Sequence, residues 1–237
     1  MGQDVLWALI VAVGVRLVVQ DWRARGALAA LGMALVLLGT GAAMLAHALD
    51  AADPSLATTG LWVLTTGTVL VAWFTQLTFH PGNTWARAAV GACAVVLALG
   101  LQHQLTACGL GTGHVTQSPV MAFTRAAVLA WPAVESLRFR RLYARRMALG
   151  LADPVVANRF LLFSVWTLAL AVMPVWVWLS TTLANVQVRE LKSGMLFPVR
   201  VLGVVCVLGV LLTFVPPRAY LDLLGRRHAR RMGTGAA

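Results

Sequence analysis

The chain is 237 residues long, with 59% apolar side chains, 11% charged ones and a formal net charge of +11. That balance excludes a water-soluble enzyme and a disordered chain, and three cysteines (Cys93, Cys108 and Cys206) without a CxxC pair exclude a disulfide scaffold. The positive charge would point to nucleic acid in a soluble protein; in so apolar a chain it first raises the question of which arginines flank membrane spans.

A bilayer core of roughly 30 Å takes about 20 helical residues. Seven segments approach that length: Val5 to Gln20, Gly26 to Leu49, Leu56 to Phe79, Ala88 to Gln104, Pro119 to Leu137, Phe160 to Ala184 and Met195 to Val215. The predicted fold class is therefore all-α: a polytopic membrane protein with seven transmembrane helices over residues 1–216 and a basic amphipathic tail over 217–237. The first span is the shortest and carries Arg16, so it crosses only if Arg16 snorkels to an interface. It reads as a retained span and not a cleaved leader, because Met1 to Asp4 lacks a basic region and no A-x-A site precedes a polar start. Leu6 stands where a myristoylation signal opening on Met1-Gly2 wants Ser or Thr.

The breaks between spans suit turns: Asp21 to Arg25, Asp50 to Ser55, His80 to Asn83, the Gly-rich Cys108 to Ser118, and a basic stretch from Arg138 to Arg159. Ser118-Pro119 and Asp153-Pro154 each read as an N-cap followed by proline at the first helical position, with Gly150 as a stop between them. They predict helix 5 from Pro119 to Leu149 and helix 6 from Pro154 to Ala184, each about 46 Å at 1.5 Å per residue and longer than the core they cross. Arg138, Arg141 and Arg145 recur there at helical spacing, widened by Arg140 and Arg146. They read either as a contact surface for a cytoplasmic protein partner or an anionic headgroup, or as charges that fix topology.

After Pro216-Pro217, Tyr220, Leu221, Leu224 and His228 stand beside Arg226, Arg227, Arg230 and Arg231. The pattern predicts a short amphipathic helix along the inner leaflet, with Arg226 and Arg230 at anionic headgroups. Without aromatic interleaving or a nucleic-acid motif, no nucleic acid partner is expected.

Orientation follows from the basic residues, since cytoplasmic loops retain Lys and Arg. In an alternating seven-span topology fourteen of the 19 basic residues fall on one side, Arg189 and Lys192 on the other, and Arg16, Arg125 and Arg200 within spans. The amino terminus is thus expected outside and the carboxyl terminus in the cytoplasm, in an inner (plasma) membrane. Trp62, Trp176 and Trp178 on one side and Trp22, Trp73 and Trp85 on the other read as an interfacial belt.

Polar groups within spans are costly and face the interior or reach an interface. Arg125, Arg200, His47 and His103 fall near the outer ends of helices 5, 7, 2 and 4, with Asp50, Asp53 and His114 at the same face. They are the candidate ligand-binding set, suited to a small polar or anionic ligand; the alternative is snorkelling arginines and ordinary interfacial histidines. His47, His103 and His114 lack the HxxxH spacing of a metal site, so neither metal nor cofactor is expected. Thr58, Thr65, Thr68 and Gln76 roughly share a face of helix 3 and read as packing groups, the threonines bonding back to their own carbonyls or across to a neighbouring helix. Pro132 and Pro174 read as kinks, and Glu135 as a partner of Arg138 at i+3.

The segments Trp131-Pro132-Ala133-Val134-Glu135-Ser136-Leu137-Arg138 and Leu151-Ala152-Asp153-Pro154-Val155-Val156-Ala157-Asn158-Arg159-Phe160 resemble uncharacterised bacterial seven-helix membrane proteins. The resemblance covers about 30 residues and carries no activity. In topology the chain also looks like rhodopsins and G-protein-coupled receptors, but its lone lysine, Lys192, precedes helix 7, where a retinal Schiff base would be needed. The E/DRY-like and NPxxY-like motifs are missing too.

The leading functional expectation is a bacterial inner-membrane sensor or signalling module. It would bind a small polar or anionic ligand on the outer side and signal through the helix 5–helix 6 hairpin. The 237 residues hold no kinase, cyclase or receiver domain, so this reading needs a separate partner. The alternative is an anion or proton transporter or channel along Arg125, Arg200 and Glu135, against which stands the lack of an internal repeat and of a mid-membrane acidic relay. An enzymatic role finds no convincing nucleophile, base and ligand set. Gly32, Gly39 and Gly41 in helix 2 and Ala88 with Ala92 in helix 4 permit close helix approach but fix no oligomeric state.

Overall fold

A computed structural model describes residues 2–21, 26–51, 53–107, 118–148, 154–184, 193–218 and 220. Among these residues seven α-helices follow one another: α1 Gly2–Asp21, α2 Ala27–Ala51, α3 Pro54–Phe79, α4 Thr84–Ala107, α5 Pro119–Ala148, α6 Pro154–Ala184 and α7 Ser193–Phe214. Among the described residues six of them, α2 to α7, contain stretches long and apolar enough to cross a membrane. The chain is accordingly a multi-pass helical membrane protein. The remaining helix, α1, has the length but carries Asp4, Arg16 and Asp21.

Local chemistry sets the helix ends. Asp21, at the end of α1, accepts from the N–H of Ala29 at 3.2 Å and so covers the start of α2. Asp53 caps α3: its Oδ1 takes the Ser55 hydroxyl at 2.7 Å and the N–H groups of Ser55 and Leu56 at 2.9 and 3.3 Å, with Pro54 at the first helical position. The α3–α4 turn needs Gly82, whose φ of +77° lies in the left-handed region. Asn83 then caps α4 through a 2.9 Å bond from the Trp85 N–H. α5 and α6 begin at Pro119 and Pro154, where the sequence places them, and run for 30 and 31 residues. Neither stops at Leu137 or waits for Phe160. The turn between them, with Gly150 and Asp153, lies outside the described residues.

Six helices close a ring in the order α1, α2, α3, α5, α6, α7, and α4 packs outside it over the α3–α5 seam. The ring is tightest where backbones touch. A Cβ on Gly14 would lie 2.7 Å from the Gly32 carbonyl oxygen, and one on Gly32 would lie 2.6 Å from that of Gly14, so α1 and α2 cross at this pair. α2 and α3 cross likewise at Gly41 and Gly60. In a lipid solvent, where apolar contact with a neighbouring helix replaces equally apolar contact with acyl chains, such close approach is a main source of helix association. The packed centre holds Leu31, Leu35, Phe74, Phe163, Val210 and the fully buried Trp166. α4 by contrast turns Val95, Val96 and Leu99 outward.

Candidate functional site

Inside the ring lies a cavity of about 310 Å³ to which all seven helices contribute. Its wall is mostly aliphatic. The polar side chains on it are few: Arg125 from α5, Gln104 from α4 and Thr68 from α3, with the indoles of Trp7 and Trp166.

Arg125 defines the chemistry. It sits six residues into α5, with 8% of its surface exposed. One guanidinium nitrogen donates to the Thr65 hydroxyl at 2.6 Å. That hydroxyl spends its own hydrogen on the Leu61 carbonyl, 2.7 Å away. Arg125 Nε has no partner among the described residues, nor do Trp7 Nε1, Trp166 Nε1 or Gln104 Oε1. No described Asp or Glu lines the cavity. A guanidinium stays charged in proteins and offers five donors, so among the described residues this one has no acidic partner and an Nε–H without an acceptor inside an apolar bundle, an arrangement that costs several kcal/mol.

α6 adds an acceptor. Pro174 withholds the N–H that would close a helical bond to the carbonyl of Leu170, and both residues line the cavity. On α7, Cys206 donates to the Trp166 carbonyl at 3.4 Å. A Cβ on Gly209 would stand 2.6 Å from that of Trp166, so the indole fits because this residue has no side chain.

The other expected ligand residues do not share this space. Arg200 is exposed on α7, His103 is exposed on α4, and His47 is exposed on α2. His47 lies 3.6 Å from Asp4, tying the start of α1 to the end of α2. The four-residue set is thus divided: Arg125 faces the cavity and the other three face outward. Arg16 is exposed as well. Of the residues that join Arg125, Pro174 is legible in the sequence as a kink, while Trp7, Gln104 and Trp166 carry no signal beyond being polar or aromatic within a span.

At the opposite, arginine-rich end, Glu135 is buried and pairs with Arg138. Arg138 donates to its Oε1 at 3.0 Å, as the i+3 spacing predicts, and His80 Nε2 lies 3.4 Å from the same oxygen. The His80 ring stacks on Trp131. Next to this group an aromatic chain crosses three helices: Phe79 of α3 meets Phe139 of α5 at 5.1 Å, Phe139 and Tyr143 meet Phe160 of α6, and Arg146 lies 5.9 Å from the Tyr143 ring. It fastens the long ends of α5 and α6 together. Arg138, Arg141 and Arg145 are exposed there. Asn158 of α6 donates to the Tyr220 hydroxyl, fixing the chain just past α7; Arg226 and Arg230 lie outside the described residues. Among the described residues no three His, Cys, Asp or Glu side chains stand close enough to hold a metal ion, and His114 lies outside them.

Thr58, Thr65, Thr68 and Thr75 all donate to carbonyls four residues back along α3. Only Thr65 among them also receives a bond from another helix. No protein-family model, curated protein or solved structure matches the chain.

Proposed function

We propose that the protein is a seven-span sensor of an inner (plasma) membrane, with its amino terminus outside. A small ligand sits in the interior cavity against Arg125, and its presence is relayed along α5 and α6 to the exposed basic ends of those helices. The observation that carries this reading is the buried Arg125 with an unpartnered Nε–H and no acidic partner among the described residues. A charge of this kind gains little from packing and much from an acceptor that arrives from outside. Support for the relay is the construction of the path: α5 bears the arginine and, about 30 Å further along at 1.5 Å per residue, Arg145, while α6 brings Pro174 to the cavity and Phe160 to the aromatic chain. The exposed arginines at that end suit an acidic cytoplasmic partner or anionic headgroups.

The transport alternative draws less support, because Arg200 is exposed and Glu135 is engaged by Arg138, so neither joins Arg125 along one path. The deciding experiment compares hydrogen exchange in wild-type and Arg125→Ala protein reconstituted in nanodiscs. The sensor reading expects changed protection at the ends of α5 and α6, far from the substitution. Unchanged protection there, together with organic-anion flux into proteoliposomes that Arg125→Ala abolishes, overturns it in favour of transport.

A further inference from the structure

We infer that the cavity takes a small organic monocarboxylate with a compact apolar body, an inference that rests on the ligand-site reading above and names its chemical class. Three properties of the site converge on it. The first is charge and shape: the Arg125 Nε–H has no partner among the described residues, and with the Nη2 hydrogen that is not given to Thr65 it would form the planar side-on fork that a carboxylate matches with two parallel hydrogen bonds. The second is the wall. Leu35, Leu38, Leu64, Leu129, Leu170 and Val210 surround most of the space, so a fully hydrated inorganic anion would surrender its water for little in return. The third is size. A volume of about 310 Å³ is about ten times the roughly 30 Å³ that one water occupies in the liquid, which accommodates about ten non-hydrogen atoms.

A carboxylate with about seven further carbons, straight or aromatic, meets all three conditions. A two-chain phospholipid would have to leave most of its atoms outside the cavity, and an apolar alcohol of the same length leaves the charge of Arg125 without an acidic partner. The unpartnered indole N–H groups of Trp7 and Trp166 are donors suited to the carboxylate or a ring acceptor, while Gln104 Oε1 is an unpartnered acceptor suited to a hydroxyl or amine on the ligand body.

The test is calorimetric titration of the detergent-solubilised protein at pH 8 with octanoate, 1-octanol and inorganic phosphate, using protein-free micelles as the blank. Octanoate is expected to bind saturably, one per chain, at least tenfold more tightly than either of the others. Arg125→Gln should lose at least tenfold for octanoate and leave 1-octanol unchanged. Ala42→Leu keeps the arginine and fills part of the cavity; it should shift the preference from octanoate to hexanoate, and it decides the matter if Arg125→Gln does not fold. Equal binding of 1-octanol and octanoate overturns the carboxylate class and leaves the ligand-site reading standing, as does equal binding of phosphate. Retention of a stoichiometric phospholipid that octanoate cannot displace, seen by native mass spectrometry, overturns it in favour of a lipid. If no probe binds saturably, the inference and the ligand-site reading fall together.

Discussion

Arg16, Arg125 and Arg200 share a side chain and a setting within apolar helices, yet only Arg125 is interior. The difference lies in neighbours: Thr65 of α3 faces Arg125 and gives it an acceptor, while the others extend from outward faces along a stem that tolerates lipid. Sequence alone reads Arg16 as snorkelling but sets Arg200 beside Arg125, because depth within a span can be counted but direction cannot. Arg125→Lys should therefore behave unlike a change at an exposed arginine: ammonium lacks the side-on fork, so ligand affinity should fall at least tenfold by calorimetry, whereas Arg200→Lys should leave it unchanged. Glu135 was legible as a partner of Arg138, and His80 was not, because it reaches Glu135 from the α3–α4 turn. The Arg138 side chain is 67% exposed, so a double-mutant cycle of Glu135 and Arg138 on thermal unfolding should give a coupling below about 1 kcal/mol. At Asp53 the Ser55 hydroxyl, then the Leu56 and Ser55 N–H groups, hold the carboxyl below its usual range. A depressed folded-state value contributes stability above the unfolded pKa that is lost as pH falls through the folded one. Melting of the wild type should thus lose stability below about pH 4 relative to Asp53→Asn, whose curve should lack that component.

Helix positions were largely legible, because spans are long apolar runs and proline after a capping residue marks a start. Ser118-Pro119 and Asp153-Pro154 located α5 and α6, and Asp53-Pro54 carries the same signal for α3, where the apolar run alone placed the start two residues late, at Leu56. Helix faces were illegible for a physical reason. A helix apolar on every side has no periodic contrast from which to read its buried face, so the cavity and its lining emerge only from packing. Glycines show the same division: Gly32 and Gly41 are visible as small residues, but their partners Gly14 and Gly60 are known from the fold. Gly41→Val would set a side chain against the Leu64 nitrogen, 2.7 Å from its Cβ, and should destabilise by about 1–3 kcal/mol or more, read as a lowered Tm in detergent. Gly91→Ala, whose Cβ meets nothing within 4 Å, should be neutral or stabilising by up to about 1 kcal/mol. Pro174→Ala restores the N–H for the Leu170 carbonyl and should slow amide exchange locally in α6.

Over the whole molecule, the fold and the charge pattern lead to one topology to test. Reporter fusions near Asp53, Gly111 and Val188 should report the outside, and those near Arg25, Asn83, Arg145 and His228 the cytoplasm. A cytoplasmic Gly111 ends the seven-span proposal. The ring also has an uneven grain. The closest packing joins neighbours in sequence, α1 with α2 and α2 with α3 on one side, α5 with α6 and α6 with α7 on the other, while α4 is held lightly by both. During synthesis the first three helices can complete their glycine crossings before α5 has left the ribosome, and the last three need only each other until the ring closes. The helix contacts thus divide the ring into two halves, α1 to α3 and α5 to α7, joined at the looser α3–α5 and α1–α7 seams. Separate chains of residues 1–107 and 118–237, made in the same cell, should find one another and copurify.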